Sequence, residues 1–252
     1  MKIALITGAS SGIGKQFALG LDNDGLDEIW AVALKGTELD NLQSEMKTKI
    51  RTFGLDLTLV ESFGIIQSEL EKFKPEVLWL INCSGYGKFG RYDEIEMLNS
   101  LGMIDLNCRG YVGMTKSALP YMPNKSRIVN IGSMASWLSV PFANVYAATK
   151  AFVLSYSRGL NVELKDRKIS VTCVCPFWTK TEFFKRAESK ENDRIKKYIV
   201  MYDAKKVVAR GIKSARKRKE VSFYGFMSKV FFALSKILPH KLMMKIWINQ
   251  QK

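Results

Sequence analysis

The start of the chain is the stretch that most limits its fold, because an apolar run leads directly into a glycine-rich turn. Residues 3–6 are Ile-Ala-Leu-Ile, and residues 7–14 are Thr-Gly-Ala-Ser-Ser-Gly-Ile-Gly. A short apolar run bounded by glycines is typical of a buried strand, and the apolar residues from Ile13 to Leu21 recur at helical spacing. The sequence therefore predicts a strand, a tight turn and a helix as the first unit of an α/β domain.

The glycines of this turn have the spacing of a phosphate-binding loop. Gly8, Gly12 and Gly14 form G-x-x-x-G-x-G, which differs from the commoner G-x-G-x-x-G. Residues without a Cβ let the backbone approach a pyrophosphate, which then binds helix N–H groups and the positive end of the helix dipole. A tight turn that binds no ligand is the alternative, and the complete eight-residue string favours the phosphate site.

A second pattern joins a tyrosine, a lysine and a serine. Tyr146 and Lys150 are four residues apart, so on a helix they share one face, although such a pair alone is more often an exposed helix face. Lys150 and the positive ring of a bound cofactor could together lower the Tyr146 pKa from ~10 to ~7, which takes roughly 4 kcal/mol. Ser133 follows the apolar run 127–132, so its hydroxyl is expected at the carboxyl edge of a parallel sheet, where ligands bind.

With the glycine turn, these residues resemble the short-chain dehydrogenase/reductase family, and the resemblance runs from about Met1 to Thr181. It implies a Rossmann-like α/β fold, a doubly wound parallel sheet whose strand order begins 3-2-1-4. It also implies hydride transfer between a nicotinamide and a carbonyl or secondary-alcohol carbon. The implied catalytic residues are Asn107, Ser133, Tyr146 and Lys150.

The resemblance assigns a role to each of these four side chains. Tyr146 exchanges a proton with the substrate oxygen, and Ser133 donates a hydrogen bond to the same oxygen. Lys150 lowers the Tyr146 pKa and holds the cofactor ribose. Asn107 lies in a kinked helix, in which a backbone carbonyl holds a water next to Lys150.

The same resemblance implies a set of cofactor-binding residues. These are Gly8, Ser10, Ser11, Gly12, Ile13, Gly14, Lys35, Asp56, Leu57, Asn82, Gly85, Tyr146, Lys150, Pro176, Thr179 and Thr181. No carboxylate, which would bind the 2′-hydroxyl of NAD, stands at residues 33–36, and Lys35 is there instead. We therefore expect NADP(H) to be favoured over NAD(H), with a merely solvated Lys35 as the alternative. Asp56 is expected to contact the adenine, unless it is a helix N-cap.

The expected substrate site adjoins Ser133 and Tyr146. The loop 134–142 is rich in large apolar groups, which suggests a lipophilic substrate, although the loop could equally pack into the core. We expect Trp137 and Trp178 to contact the substrate together with Ser133 and Tyr146. Phe177 stands where the family usually has glycine and adds bulk near the substrate.

The length of 252 residues fits one α/β domain. We predict a catalytic domain over residues 1–225, with a substrate lid over about 182–215, and a C-terminal helical extension over residues 226–252. The four cysteines lack C-x-x-C spacing and lie in apolar stretches, which indicates reduced core residues of a cytoplasmic protein. The chain has a single histidine, which nearly excludes a histidine-based metal cluster, so no metal is expected.

The positive charge lies almost entirely in the last part of the chain. Residues 180–252 carry 20 Lys and Arg but only 6 Asp and Glu, whereas the overall net charge is +15. Two apolar segments with interspersed lysines, 226–238 and 242–247, fit a peripheral membrane contact. Helices that cap the substrate cleft or form a subunit interface are the slightly favoured alternative. A homo-oligomer is expected, and nucleic-acid binding is disfavoured because the aromatics lie within apolar segments.

Three functions compete at this point. The first is an NADP(H)-dependent oxidoreductase of a lipophilic ketone or alcohol, of the hydroxysteroid dehydrogenase kind. The second is a 3-oxoacyl-thioester reductase, whose acidic carrier the basic tail could attract. The third is a non-catalytic cofactor-sensing or membrane-associated protein, against which the intact set of four catalytic residues argues.

Overall fold

The computed structural model describes residues 1–34, 39, 41–187, 195 and 197–251, and it forms a parallel β-sheet between two layers of helices. The strands are β1 Lys2–Thr7, β2 Glu28–Ala33, β3 Lys49–Gly54, β4 Glu76–Asn82, β5 Arg127–Ile131, β6 Ser170–Val174, β7 Thr179–Lys180, β8 Tyr202–Asp203 and β9 Val221–Ser222. The α-helices are α1 Gly12–Leu21, α2 Glu61–Phe73, α3 Met97–Ile104, α4 Gly110–Ala118, α5 Asn144–Glu163, α6 Phe183–Ala187, α7 Ala204–Arg216, α8 Phe226–Ile237 and α9 His240–Gln251. Short 3₁₀ helices span Asn41–Glu45, Leu119–Tyr121 and Met134–Trp137, and a π-helical turn spans Asp105–Arg109.

The main sheet has seven strands in the order β3-β2-β1-β4-β5-β6-β9, and every neighbouring pair is parallel. This order confirms the predicted doubly wound fold and its 3-2-1-4 start. The chain reverses direction across the sheet between β1 and β4, and ligands of open α/β sheets bind at that point, beyond the carboxyl ends of the strands. The short strands β7 and β8 form a separate parallel pair above this edge.

Each face of the sheet has its own apolar core. Phe17 of α1 and Ile212 of α7 pack on one face, and Ile66 of α2 and Met114 of α4 pack on the other. The central strand β1 alternates between the two cores and is fully buried after Lys2. Burial of each large apolar side chain stabilises the fold by roughly 1.5–3 kcal/mol, so the two cores hold the strand ends in fixed relative positions.

One predicted element differs in the structure. The lid predicted over residues 182–215 is too long, since α7 is a core helix. Val208 and Ile212 of α7 are buried against α1. The part that remains above the site is α6 and the described residues up to β8.

The C-terminal helices α8 and α9 lie against the loop that follows β5. Trp247 of α9 donates a hydrogen bond from Nε1 to the Pro141 carbonyl at 3.0 Å. On the other side of that loop, Phe232 of α8 packs edge-on against Trp137 at 4.6 Å between ring centroids. Among the described residues, no helix is both long and apolar enough to cross a membrane.

Candidate active site

The glycine turn has no room for side chains. A Cβ on Gly14 would lie 2.0 Å from the Gly8 carbonyl oxygen, which is impossible without moving the backbone. Gly8 and Gly12 have positive φ values of +68° and +52°, in the region that favours glycine. The turn is anchored from below, since Gly8 N–H donates to the Val32 carbonyl at 2.8 Å. The result is a loop whose backbone is open to a ligand.

The first turn of α1 faces the same space. Ser11 is the N-cap residue but makes no side-chain capping hydrogen bond, and the first turn contains no acidic residue. The N–H groups of that turn and the positive end of the helix dipole can therefore bind an anion. The glycine turn and this helix start fit the pyrophosphate of a dinucleotide, which is the group that the predicted family requires.

Ser133 is held by a reciprocal hydrogen-bonded cap at the carboxyl end of β5. Its hydroxyl oxygen accepts from Ala135 N–H at 3.1 Å, and its own N–H donates to Ser136 Oγ at 3.2 Å. Ser136 in turn donates to the Lys150 carbonyl at 2.8 Å. One hydroxyl thus joins the Ser133 loop to the helix α5. Sequence reasoning missed Ser136, although a serine three residues after a predicted cap is a known capping signal.

Tyr146 lies on the first turns of α5, and its phenol is buried beside Ser133. Burial raises the pKa of Tyr146 to about 12, although the hydrogen bond with Ser133 works in the opposite direction. Protein groups alone therefore do not produce the predicted decrease toward neutrality. The prediction attributed part of that decrease to the positive ring of a bound cofactor. Because burial raises the Tyr146 pKa, a decrease toward neutrality depends on the bound cofactor.

Lys150 is 5% exposed, and its ammonium points into the site without contacting the Tyr146 hydroxyl. Lys150 Nζ donates to the Ile131 carbonyl at 2.8 Å and lies 5.7 Å from the centroid of the Tyr146 ring. Burial lowers the pKa of Lys150 from its usual value. A negative or strongly polar neighbour would favour the charged form of such a lysine, which suits a contact with ribose hydroxyls.

Asn107 is fully buried at the centre of the π-helical turn between α3 and α4. Its amide nitrogen donates to the Tyr86 carbonyl at 2.9 Å and to Thr149 Oγ1 at 3.0 Å, and its oxygen accepts from Tyr86 N–H. Thr149 Oγ1 donates to the Tyr146 carbonyl at 2.7 Å. The Asn107 side chain therefore fixes the position of α5, and the π turn agrees with the predicted kink. A water held by a backbone carbonyl there stays a prediction.

Asn82 lies beneath the site and not in its lining. Its amide nitrogen donates to Thr115 Oγ1 at 3.1 Å and to Asn130 Oδ1 at 2.9 Å, which connects β4 to both α4 and β5. The amide nitrogen of Asn130 donates to Ser157 Oγ at 3.0 Å, which connects β5 to α5. Buried amides paired in this way fix the register of neighbouring strands, so Asn82 braces the sheet and acts on a cofactor only indirectly.

A cavity of about 530 Å³ runs along the strand ends from the glycine turn to Tyr146 and Lys150. It brings together most of the predicted cofactor-binding residues, namely Gly8, Ser10, Ser11, Gly12, Ile13, Gly14, Asp56, Leu57, Gly85, Tyr146, Lys150, Pro176, Thr179 and Thr181. Asn82 is not among its lining residues, and Lys35 lies outside the described residues. Asp56 is not a helix N-cap, since α2 begins at Glu61, and its Oδ1 accepts from Thr58 N–H at 2.9 Å.

A second, apolar cavity of about 170 Å³ adjoins the first at Ser133 and Tyr146. Its wall includes Phe177 and Trp178, which follow β6, and Phe231 of α8. The predicted contact of Trp178 with this region agrees with its position. A carbonyl placed against Ser133 and Tyr146 would have its remaining carbon groups in this cavity.

Trp137 does not line either cavity, so the expected substrate contact of Trp137 is wrong. Its ring packs against Phe223 and Phe232, and Arg158 lies over it at 4.8 Å. The cavity wall instead uses neighbours of Trp137 in the same loop, including Leu138. Sequence reasoning named the loop correctly but chose the wrong side chain within it. Its slightly favoured alternative, that segments 226–238 and 242–247 cap the substrate cleft, agrees with the positions of Phe231, Met243 and Trp247 in the cavity wall.

Comparison with known proteins agrees with this geometry. The family model of the short chain dehydrogenases matches residues 2–192. Very-long-chain 3-oxoacyl-CoA reductase-B of Danio rerio is 32% identical over 196 residues, which cover 73% of this chain and 61% of that protein. Sulfoacetaldehyde reductase 2 of Chromohalobacter salexigens is 31% identical over 190 residues, 72% of this chain and 74% of that protein.

The match extends to three dimensions. A short-chain dehydrogenase from Sphingobium yanoikuyae, solved in complex with NADPH, superposes with a TM-score of 0.79 and 26% identity. The superposition covers 97% of this chain and 96% of that one. The chain covers 61% of the length of the Danio rerio reductase, which is less than two thirds of that protein. From its motifs, sheet order and relatives, the chain belongs to the short-chain dehydrogenase family of NAD(P)-dependent oxidoreductases.

Proposed function

We propose that the protein is an NADP(H)-dependent oxidoreductase that acts on a lipophilic ketone or secondary alcohol. The observation that carries the proposal is the apolar cavity that opens from Ser133 and Tyr146. Its wall is almost entirely carbon, so a charged or strongly polar substrate body would lose its hydration there without compensation. A hydrocarbon body would gain from the same burial.

In the proposed reaction, the bound nicotinamide supplies or accepts the hydride. In the reducing direction, Tyr146 donates its phenolic proton to the oxygen that was the carbonyl. Ser133 donates a hydrogen bond to the same oxygen, because its own oxygen already accepts from Ala135 N–H and its proton is therefore the part of the hydroxyl that can face the substrate. Lys150 binds the ribose, and its charge favours the phenolate that Tyr146 becomes.

The proposed preference for NADP(H) rests on the end of β2. Ala33 and Leu34 line the larger cavity there, Leu34 is half exposed, and neither can bind a ribose 2′-hydroxyl as a carboxylate would. The kcat/KM values with NADPH and NADH test the preference directly. Leu34→Asp places a carboxylate at this position, and we expect it to shift the ratio toward NADH by about tenfold or more through repulsion of the 2′-phosphate.

A 3-oxoacyl thioester is the second candidate substrate, and the size of the apolar cavity favours it over a steroid. Pockets that enclose drug-sized ligands measure roughly 300–1,000 Å³, whereas this cavity measures about 170 Å³. A rigid four-ring ketone would not be enclosed. A flexible acyl chain could place its ketone at Tyr146 and leave the rest at the mouth. The name of the zebrafish relative points the same way.

A substrate panel tests the proposal. Simple alkyl ketones, steroid ketones and 3-oxoacyl thioesters are each offered with NADPH and with NADH, and cofactor consumption is followed by absorbance. We expect turnover with the open-chain apolar ketones or thioesters and NADPH. Turnover confined to small charged carbonyl compounds would contradict the proposal, because the apolar cavity would then have no part in substrate binding.

A further inference from the structure

The outward side of α8 is apolar, which is unusual for a helix at a protein surface. Phe226, Ala233 and Ile237 lie at positions i, i+7 and i+11, which places them on one side of the helix. Phe226 is 76% exposed and Ile237 is 77% exposed. Amphipathic helices of a soluble domain normally place such residues inward and polar residues outward. Here the opposite side of α8, with Ser228 and Phe232, is the one that packs.

The outward side of α9 continues this apolar surface around the mouth of the smaller cavity. Leu234 of α8, Ile246 of α9 and Ile199 line that cavity and are 41%, 39% and 52% exposed. Residues that line the cavity and are also exposed lie at its mouth, so α8 and α9 meet at the mouth of the smaller cavity. Leu242, four residues before Ile246, is 44% exposed and extends the surface along α9. We call Phe226, Leu234, Ile237, Leu242 and Ile246 the apolar rim.

The charge beside the apolar rim is entirely positive. Residues 221–252 contain no Asp or Glu, and their five lysines are Lys229, Lys236, Lys241, Lys245 and Lys252. Lys229 and Lys236 belong to α8, and Lys241 and Lys245 belong to α9. Apolar side chains with lysines beside them are the composition that binds a bilayer containing anionic lipid.

Exposed apolar side chains on α3 have charges of a different kind beside them. On α3, Leu98 and Leu101 are 76% and 49% exposed, but the residues that flank this helix are Glu96 and Asp105. Two copies of the chain that met through α8 and α9 would place lysines against lysines, which opposes a symmetric contact. The charge therefore favours an anionic surface as the occupant of the α8–α9 face over a second copy of this chain.

We propose that the apolar rim and its lysines form a docking surface for an anionic lipid bilayer. Each helix has 12 residues, about 18 Å at 1.5 Å per residue, which is shorter than the ~30 Å hydrocarbon layer. The helices lie in the plane of the membrane surface, with the rim inserted and the lysines at the headgroups. The mouth of the smaller cavity then faces the lipid. Membrane binding does not depend on the proposed reaction, so each can fail without the other.

The experiment is flotation of the full chain with lipid vesicles. One set is phosphatidylcholine alone, and the other is an equal mixture of phosphatidylcholine and phosphatidylserine. We expect binding to the mixed vesicles that weakens as salt is raised. A triple variant, Lys229→Gln, Lys241→Gln and Lys245→Gln, should bind on the order of 100-fold more weakly, since each lysine near an anionic surface contributes about fivefold. Lys236 is left in place because it lies 5.0 Å over the Trp137 ring.

A second variant separates insertion from charge. Ile237→Ser removes an exposed apolar side chain and should weaken binding to mixed vesicles about tenfold. Leu98→Ser on α3 is the matched control, since Leu98 is as exposed as Ile237 while the segment 91–109 that contains it has no lysine, and it should leave vesicle binding unchanged. Saturable NADPH binding by each variant checks that it has folded.

Three results would overturn the proposal. One is failure of the parent chain to float with mixed vesicles. Another is equal binding by the parent chain and the triple lysine variant. The third is a concentration-dependent dimer that Ile237→Ser abolishes and Leu98→Ser does not, since the face would then be occupied by a second copy of the chain.

Discussion

The two cavities meet at Ser133 and Tyr146, yet they are built from different parts of the chain. The larger one is formed by strand ends, the glycine turn and backbone groups, all from residues up to 186. The smaller one is lined by aliphatic and aromatic side chains, nearly half of them from the described residues after 195. The family match ends at residue 192. The family match therefore covers the larger cavity and the catalytic residues, whereas nearly half of the lining of the smaller cavity lies outside it.

The largest expected effect concerns Tyr146, one of the residues that line both cavities. Tyr146→Phe removes the proton donor, and turnover should fall by about 10³-fold while NADPH binding stays within a few fold of the parent. Steady-state rates and a cofactor titration by fluorescence measure the two quantities. Tyr92→Phe is the control, because Tyr92 is 74% exposed and lines neither cavity. Near-parental turnover in Tyr146→Phe would exclude the acid–base role.

The next effect belongs to the larger cavity alone. Gly14→Ala would place a Cβ 2.0 Å from the Gly8 oxygen, so the turn must open, and we expect a loss of about 3 kcal/mol in the free energy of unfolding together with loss of NADPH binding. Gly159→Ala is the matched control on α5, where an added Cβ meets nothing within 4 Å. That variant should be more stable by about 0.5–1 kcal/mol. Urea unfolding measures both, and equal behaviour of the two variants would contradict the argument.

The buried phenol predicts a pH effect on stability. The Tyr146 pKa is about 12 in the folded protein, against about 10 in an unfolded chain. Tyr146 therefore stabilises the fold fully below pH 10, and that contribution is lost as the pH rises through 12. The parent's unfolding free energy should decline by roughly 2 kcal/mol between pH 9 and 12 through this group, and Tyr146→Phe should lack that decline. Parallel stability curves for the two proteins would show that the phenol is not buried.

The smallest expected effect belongs to the apolar cavity alone. Phe231→Ala enlarges the cavity at a residue that does not line the cofactor site. The ratio of kcat/KM for a bulky ketone to that for a small ketone should rise about tenfold, since differences of one or a few methylenes in such pockets are worth roughly 1–3 kcal/mol. The KM for NADPH should not change. A shift in the NADPH KM without a change in ketone preference would mean that the two cavities are not separate.

The sequence predicted well where local patterns determine structure. The apolar runs marked the strands, the family resemblance implied their order, and the spacing of Gly8, Gly12 and Gly14 indicated a phosphate-binding turn after the first strand. The apolar spacing of Val208 and Ile212 also marks α7 as a core helix, so the overlong lid could have been avoided.

Other features depend on partners far along the chain. Trp137 faces away from the cavity because its ring packs against Phe223 and Phe232, which come 86 and 95 residues later in the sequence. The direction of the Tyr146 pKa shift likewise depends on burial, which the four-residue spacing to Lys150 does not reveal. Packing between residues so far apart in the sequence produces no local pattern from which it could be predicted.

The π-helical turn at Asp105–Arg109 has a consequence for how this segment tolerates length changes. A π turn contains one residue more than an α turn, so deletion of any one of its five residues would restore regular α geometry. The α4 helix would keep nearly the same orientation relative to α3, because five residues in a π turn and four in an α-helix turn through nearly the same angle, so Met114 would stay in the core. A one-residue gap here would therefore spare the packing of the sheet and act on the proton-transfer centre, since Asn107 would lose the position from which it bonds Tyr86 and Thr149.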